Sequence, residues 1–210
     1  MRNRLEKRWG ALWERMGAHG DPLPVFRDLV ARYSEPHRKY HTLAHIKHCL
    51  EEFEEIRHLA KNPNAVELAL WLHDLFYDTK RTDNELQSAL FAMGEVCWGA
   101  SLSDDFARIV GGLISSSKDH TISADPDTRI FFDIDLAILG QPSKKFDEYE
   151  RQIRKEYSWV THRTFRARRR ELLLSFLKRP RIYLTPHFYA LYELQAQRNL
   201  ARSIRNLSRR

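Results

Sequence analysis

Apolar residues recur every three to four positions along nearly the whole chain, the spacing of one face of an α-helix. Leu5, Trp9, Leu12, Trp13 and Met16 mark a first helix, and Pro24 to Tyr33 a short second one. Thr42 is placed to cap a third, which turns Leu43, Ile46, Leu50 and Phe53 inward. Asn64 opens a helix through Trp71 that ends near His73-Asp74. Thr82 or Asp83 caps the next, with Leu86, Leu90, Met93 and Cys97 on its inner face. Ser103 starts another, weakened by Gly111-Gly112. Asp125-Pro126 is a cap followed by proline at the first helical position, and that helix is expected to run to Gly140 in a left-handed C-terminal conformation. Ser143 opens a helix to about Trp159, Thr161 one to Lys178, and Thr185-Pro186 the last. The single strand-like run, Arg129-Ile-Phe-Phe, lies between a helix start and a helix stop. The expected fold is therefore all-α, with about nine or ten helices.

A length of 210 residues suits one large domain or two small ones, and one is the simpler reading. At 42% hydrophobic and 30% charged residues the composition is that of a soluble globule. No apolar run approaches the roughly 20 residues that cross a bilayer. The opening MRNRLEKRWG is too polar for a secretory signal, and the two cysteines, Cys49 and Cys97, read as buried thiols within helices. The expected location is cytoplasmic.

The net charge of +7 conceals an asymmetry. Residues 1–150 hold 19 Lys/Arg against 25 Asp/Glu, and residues 151–210 hold 16 against 3. A basic segment of that kind can bind a polyanion. Here Phe165, Leu172, Leu173, Phe176 and Leu177 recur at helical spacing among the arginines, as in helices that pack on a body. The regular aromatic interleaving of a single-strand platform is missing, which argues against a nucleic-acid partner.

The chemistry starts from WLHDLF, residues 71–76, where a histidine and an aspartate interrupt an apolar run. A buried charge needs a partner, and a metal ion is one candidate. Upstream, in YHTLAH, His41 and His45 are four residues apart, one helical turn. Downstream, FFDIDLAILG sets Asp133 and Asp135 among Phe, Ile and Leu, on different faces of the expected helix. His45, His73, Asp74 and one inward aspartate make two imidazoles and two carboxylates. Such a set suits divalent iron, manganese, cobalt, zinc or magnesium. An ion of that kind lowers the pKa of its water and generates hydroxide near neutral pH.

This pattern resembles the HD superfamily of metal-dependent phosphohydrolases, all-helical proteins marked by a His, then His-Asp, then a distant Asp. The matching residues are His45, His73-Asp74 and Asp135. YHTLAH is also similar to the tyrosine-histidine segment of cyclic-nucleotide phosphodiesterases in the same superfamily. There the first histidine is the general acid and the one four residues later a metal ligand, which implies these roles for His41 and His45. An Asp-Leu pair at the final position favours Asp135-Leu136 over Asp133. Together EPHRKYH, WLHDLFYD, DNELQSA and DIDLAILG look like a subfamily of predicted HD phosphohydrolases, over about residues 30 to 205.

The resemblance implies one HD-type domain over 1–210, with a metal-site core at about 30–140 and the basic helices of 143–210 packed on it. It implies one divalent metal held by His45, His73, Asp74 and Asp135, and Asp74 orienting or deprotonating the attacking water. His41 protonates the leaving oxygen of a phosphate ester, on a nucleotide or a small phosphorylated metabolite. The same site without turnover is a metal-dependent phosphate sensor. Two-metal members carry a further histidine before a Glu, where this chain has Asn84-Glu85, so a second metal is not expected. Arg38 is a candidate phosphate clamp or a salt-bridge partner of Glu35. Lys118 and His120 are candidates to face a substrate phosphate, and Glu85 to support the ligands from outside or to serve its own helix.

Overall fold

The computed structural model describes residues 1–118 and 123–208. Among them it has ten α-helices and no strand. The helices are α1 (Arg2–Arg15), α2 (Leu23–Arg32), α3 (Leu43–Ile56), α4 (Pro63–Leu72), α5 (Asn84–Phe91), α6 (Asp104–Ser116), α7 (Pro126–Asp135), α8 (Ser143–Glu156), α9 (His162–Leu177) and α10 (Pro186–Ser208). None is long and apolar enough to cross a membrane. The chain divides into two compact units, Met1–Phe131 and Phe132–Arg210.

The first unit is built around α4, in which every residue from Ala65 to Leu72 is buried. A helix apolar on all sides belongs at the centre of a core. Trp71 takes Trp9 of α1 edge-on at 5.5 Å and Phe26 of α2 at 6.4 Å. The indoles of Trp9 and Trp13 donate to the carbonyls of Pro22 and Gly20, which fastens the α1–α2 turn. At the start of α4, the buried carboxylate of Asp127 in α7 accepts the Lys61 and Asn62 amides at 2.7 and 2.8 Å. Both ends of α4 are thus fixed, and its C-terminal end delivers His73 and Asp74.

Glu67 is the one charged residue of α4, and it is fully buried. Three arginines neutralise it: Arg8 at 2.8 Å, Arg15 at 2.6 Å, and Arg57. Their side chains stay 21–40% exposed and remain hydrated without it. Glu67→Ala is therefore expected to lower stability by about 1–3 kcal/mol, less than a fully buried ion pair implies. A urea midpoint that does not move contradicts this.

Helix α5 differs from its expected orientation. Leu86 and Leu90 are more than half exposed, and the buried residues are Ser88 and Ala89, followed by Ala92, Val96 and Cys97. Small residues win the inner face because the neighbouring helix approaches closely: a Cβ on Gly111 of α6 would lie 2.4 Å from the Met93 sulfur. The segment Ala92–Trp98 is π-helical, and its wider turn shifts the phase that a period of 3.6 extrapolates.

In the second unit, α7 gives way at Asp135 to a 3₁₀ turn, Leu136–Gly140, instead of continuing as one α-helix. Gly140 is not a left-handed cap, since positive φ among glycines is confined to Gly17 and Gly20. It is needed because Tyr192 of α10 packs on it, where an added Cβ would meet the Tyr192 Cβ at 2.3 Å. Asn199 of α10 donates to the carbonyls of Leu139 and Gln141. Several basic residues have acidic partners inside this unit: Arg169 pairs with Glu150 at 2.5 Å and Arg202 with Asp147 at 2.7 Å.

Candidate metal centre

Thr42 caps α3 as its residue type predicts, accepting the Ala44 amide, and His45 falls in the first helical turn with its side chain buried. His41 precedes the cap and is outside the helix. The turn still brings the His41 and His45 rings to 5.9 Å, so their proximity comes from the capping turn and not from helical spacing. His73 is the residue after α4, in the turn that also carries Asp74. Its Nδ1 lies 3.1 Å from the Leu70 carbonyl, which can only accept. Nδ1 therefore carries the proton, and in the neutral ring Nε2 presents a lone pair.

That Nε2 sits 3.3 Å from Nε2 of His45 and 3.1 Å from Oδ2 of Asp74, which is itself 3.6 Å from the His45 nitrogen. Burial by itself raises the Asp74 carboxyl. When the imidazoles are protonated, the charges of His73, His41 and His45 and a hydrogen bond from His73 outweigh it and hold the group well below the usual carboxylate range. His45, His73 and Asp135 are a group of residues that could hold a metal ion. Phe131, one turn before Asp135 on α7, meets the His73 ring edge-on at 5.8 Å.

The donor set fits a divalent cation. Three electron-rich atoms face one another across 3.1–3.6 Å, an arrangement that needs either added protons or a cation. Adjacent ligands on one ion, at bonds of about 2.1 Å, lie roughly 3.0–3.4 Å apart, the separation the two imidazoles show. Imidazole with carboxylate suits zinc, iron, manganese or cobalt.

The structure separates the two aspartates of DIDLAILG. Asp133 is fully buried and accepts the Leu184 amide at 2.8 Å, the Thr185 amide at 2.7 Å and the Thr185 hydroxyl at 2.6 Å. Burial pushes its carboxyl up to about 6, against the pull of these hydrogen bonds. It anchors the start of α10.

The remaining candidates scatter. Arg38 is buried and directed at Glu35 and at backbone carbonyls, not arranged as a clamp for substrate phosphate. Lys118 is exposed and donates to the Thr82 carbonyl at 2.9 Å. His120 lies outside the described residues. Glu85 stands half-buried in the first turn of α5, where a carboxylate favours the helix N-terminus. Asn84, in the place that two-metal relatives of the resembled family give to histidine, exchanges hydrogen bonds with the backbone of Asp78 at 3.1 and 2.9 Å. That use is structural.

Three residues near the site had no role in the sequence reading. Tyr77 lies against His41 with ring centroids 4.2 Å apart, Tyr40 lies 4.8 Å from the His45 ring, and Cys49 places its sulfur 3.7 Å from the His45 ring nitrogens. Cys49 is four residues after His45 on one helix face, a spacing that does flag it. Tyr77 merely follows the apolar run, and nothing in its neighbourhood marks it. Comparison of the chain with protein-family models, with curated proteins and with solved structures finds no match.

Proposed function

We propose that this protein is a single-metal phosphohydrolase of the HD type, cleaving a phosphate ester of a nucleotide or a small phosphorylated metabolite. The observation that supports it is the buried pair His45–His73 with Nε2 atoms 3.3 Å apart beside the Asp74 carboxylate. His45, His73, Asp74 and Asp135 are the residues that would hold the ion. A divalent cation there acidifies a water and withdraws charge from a phosphoryl oxygen.

The chain's own residues supply the rest. The Leu70 carbonyl fixes the His73 ring and its tautomer. The depressed Asp74 stays ionised through the neutral range and orients the attacking water. The imidazole of His41, set at the edge of the group and lying on Tyr77, carries the proton that the leaving oxygen takes up.

Purified protein grown with added manganese or iron is expected to contain about one equivalent of metal, and His73→Ala and Asp74→Ala very little. Loss of a residue that only hydrogen-bonds a ligand typically weakens metal affinity roughly 10–100-fold, and loss of a ligand itself should exceed that. Release of phosphate or alcohol from a panel of monoesters and diesters, across several metals, then tests turnover. Equally low metal in wild type and both variants removes the metal centre. A full equivalent of metal with every ester intact removes the hydrolase and leaves the phosphate sensor.

A further inference from the structure

Two irregular segments carry the chemistry. The loop between α2 and α3 bears His41, and the turn after α4 bears His73 and Asp74. Within the turn, the His73 amide donates to the Ala69 carbonyl at 2.9 Å and the Leu75 amide to the Leu72 carbonyl at 3.0 Å, but these bonds do not tie the turn to the loop. Arg38 bridges them. Its Nη1 donates to the Asp74 carbonyl at 2.6 Å and to the His41 carbonyl at 3.3 Å, and its Nη2 to the Leu75 carbonyl at 2.8 Å. Its Nε donates to Glu35 at 2.9 Å, on its own loop. The side chain has no exposed surface.

The site needs this cation for two reasons. Carbonyls just beyond a helix C-terminus lack intrahelical donors, and a positive charge there also suits the helix dipole. At the end of α4, His73 serves the Leu70 carbonyl, the Tyr33 hydroxyl the Trp71 carbonyl, the Leu75 amide the Leu72 carbonyl, and Arg38 the carbonyls of Asp74 and Leu75. The guanidinium also lies between the Tyr33 and Tyr77 rings, at 5.1 and 5.4 Å, and the Tyr77 ring rests on His41. One planar fork therefore sets both the backbone of His41 and the ring against which its imidazole lies. A lysine, with one point charge, cannot reach three carbonyls and a carboxylate in this geometry.

We infer that Arg38 is the positioning residue for His41: it sets the distance of that imidazole from the His45–His73–Asp74 group and makes no contact with substrate. The inference rests on the reading of His41 as the acid. A displacement of about 1 Å in a reacting group can cost roughly 10²-fold in rate.

The test uses the full chain with Arg38→Lys and Arg38→Met, each alone and with His41→Ala. The ring signals of His41 in the nuclear magnetic resonance spectrum are identified by their loss in His41→Ala. Both Arg38 variants are expected to shift those signals and keep about one equivalent of metal. On any hydrolysed ester they lower kcat roughly 10²-fold while KM stays nearly constant. Adding either to His41→Ala then costs little more, because the two act as a unit. Four results overturn the inference: unmoved His41 signals, a raised KM with unchanged kcat, losses that multiply in the double variant, or loss of metal in Arg38→Lys. The spectrum does not depend on turnover. If no ester is hydrolysed, the proposed function fails while the spectrum still decides the role of Arg38.

Discussion

Replacing His41 by alanine is expected to leave metal content at the wild-type level and to lower turnover roughly 10²- to 10⁴-fold, the range for losing a positioned acid. Geometry separates its two possible roles. His45 and His73 face each other at 3.3 Å, whereas the His41 ring lies 5.9 Å from that of His45 and rests on Tyr77. His41 is also half-buried and reaches solvent, whereas the other two imidazoles are buried. Metal analysis beside single-turnover kinetics decides the matter. Loss of metal in parallel with activity makes His41 a ligand, and unchanged turnover removes it from the reaction.

Asp133→Ala and Asp135→Ala are expected to fail in opposite ways, although a single residue separates them. Asp133→Ala strips the acceptor from two backbone amides and a hydroxyl in the interior. Each unsatisfied donor costs about 1–3 kcal/mol, and a total of about 3–5 kcal/mol is expected because the three share one carboxylate. Asp133→Asn keeps an oxygen acceptor and should lose less. Asp135→Ala should leave the urea midpoint nearly in place and lower metal content. Metal loss without destabilisation in Asp133→Ala would exchange the two assignments. Both measurements are made on the same purified samples, so poor folding of one variant is not mistaken for loss of a ligand.

The helices were readable because their causes are local. Apolar spacing predicts α1 with Leu5, Trp9, Leu12 and Trp13 buried, and Thr42 and Ser103 cap as their side chains dictate. The errors arise where a neighbour intervenes. Leu86 and Leu90 face outward because small residues permit a closer approach of α6, and Gly140 is set by Tyr192, fifty-two positions away.

The chain order of the site, a His, then His-Asp, then Asp, is a property of the sequence, as is the improbability of leaving charge in WLHDLF without a partner. Composition and periodicity likewise determine the helical class. That Asp133 anchors α10 depends on the register of α7 against segments distant in the chain, and only the folded arrangement shows it. The same holds for Arg38. Its sequence neighbourhood suggests a surface charge, yet its partners at Asp74 and Leu75 are 36 and 37 residues away. Local spacing fixes which face a side chain takes on its own helix. What that face meets is set by packing, where burial leaves each polar atom only the partners that the tertiary fold brings to it.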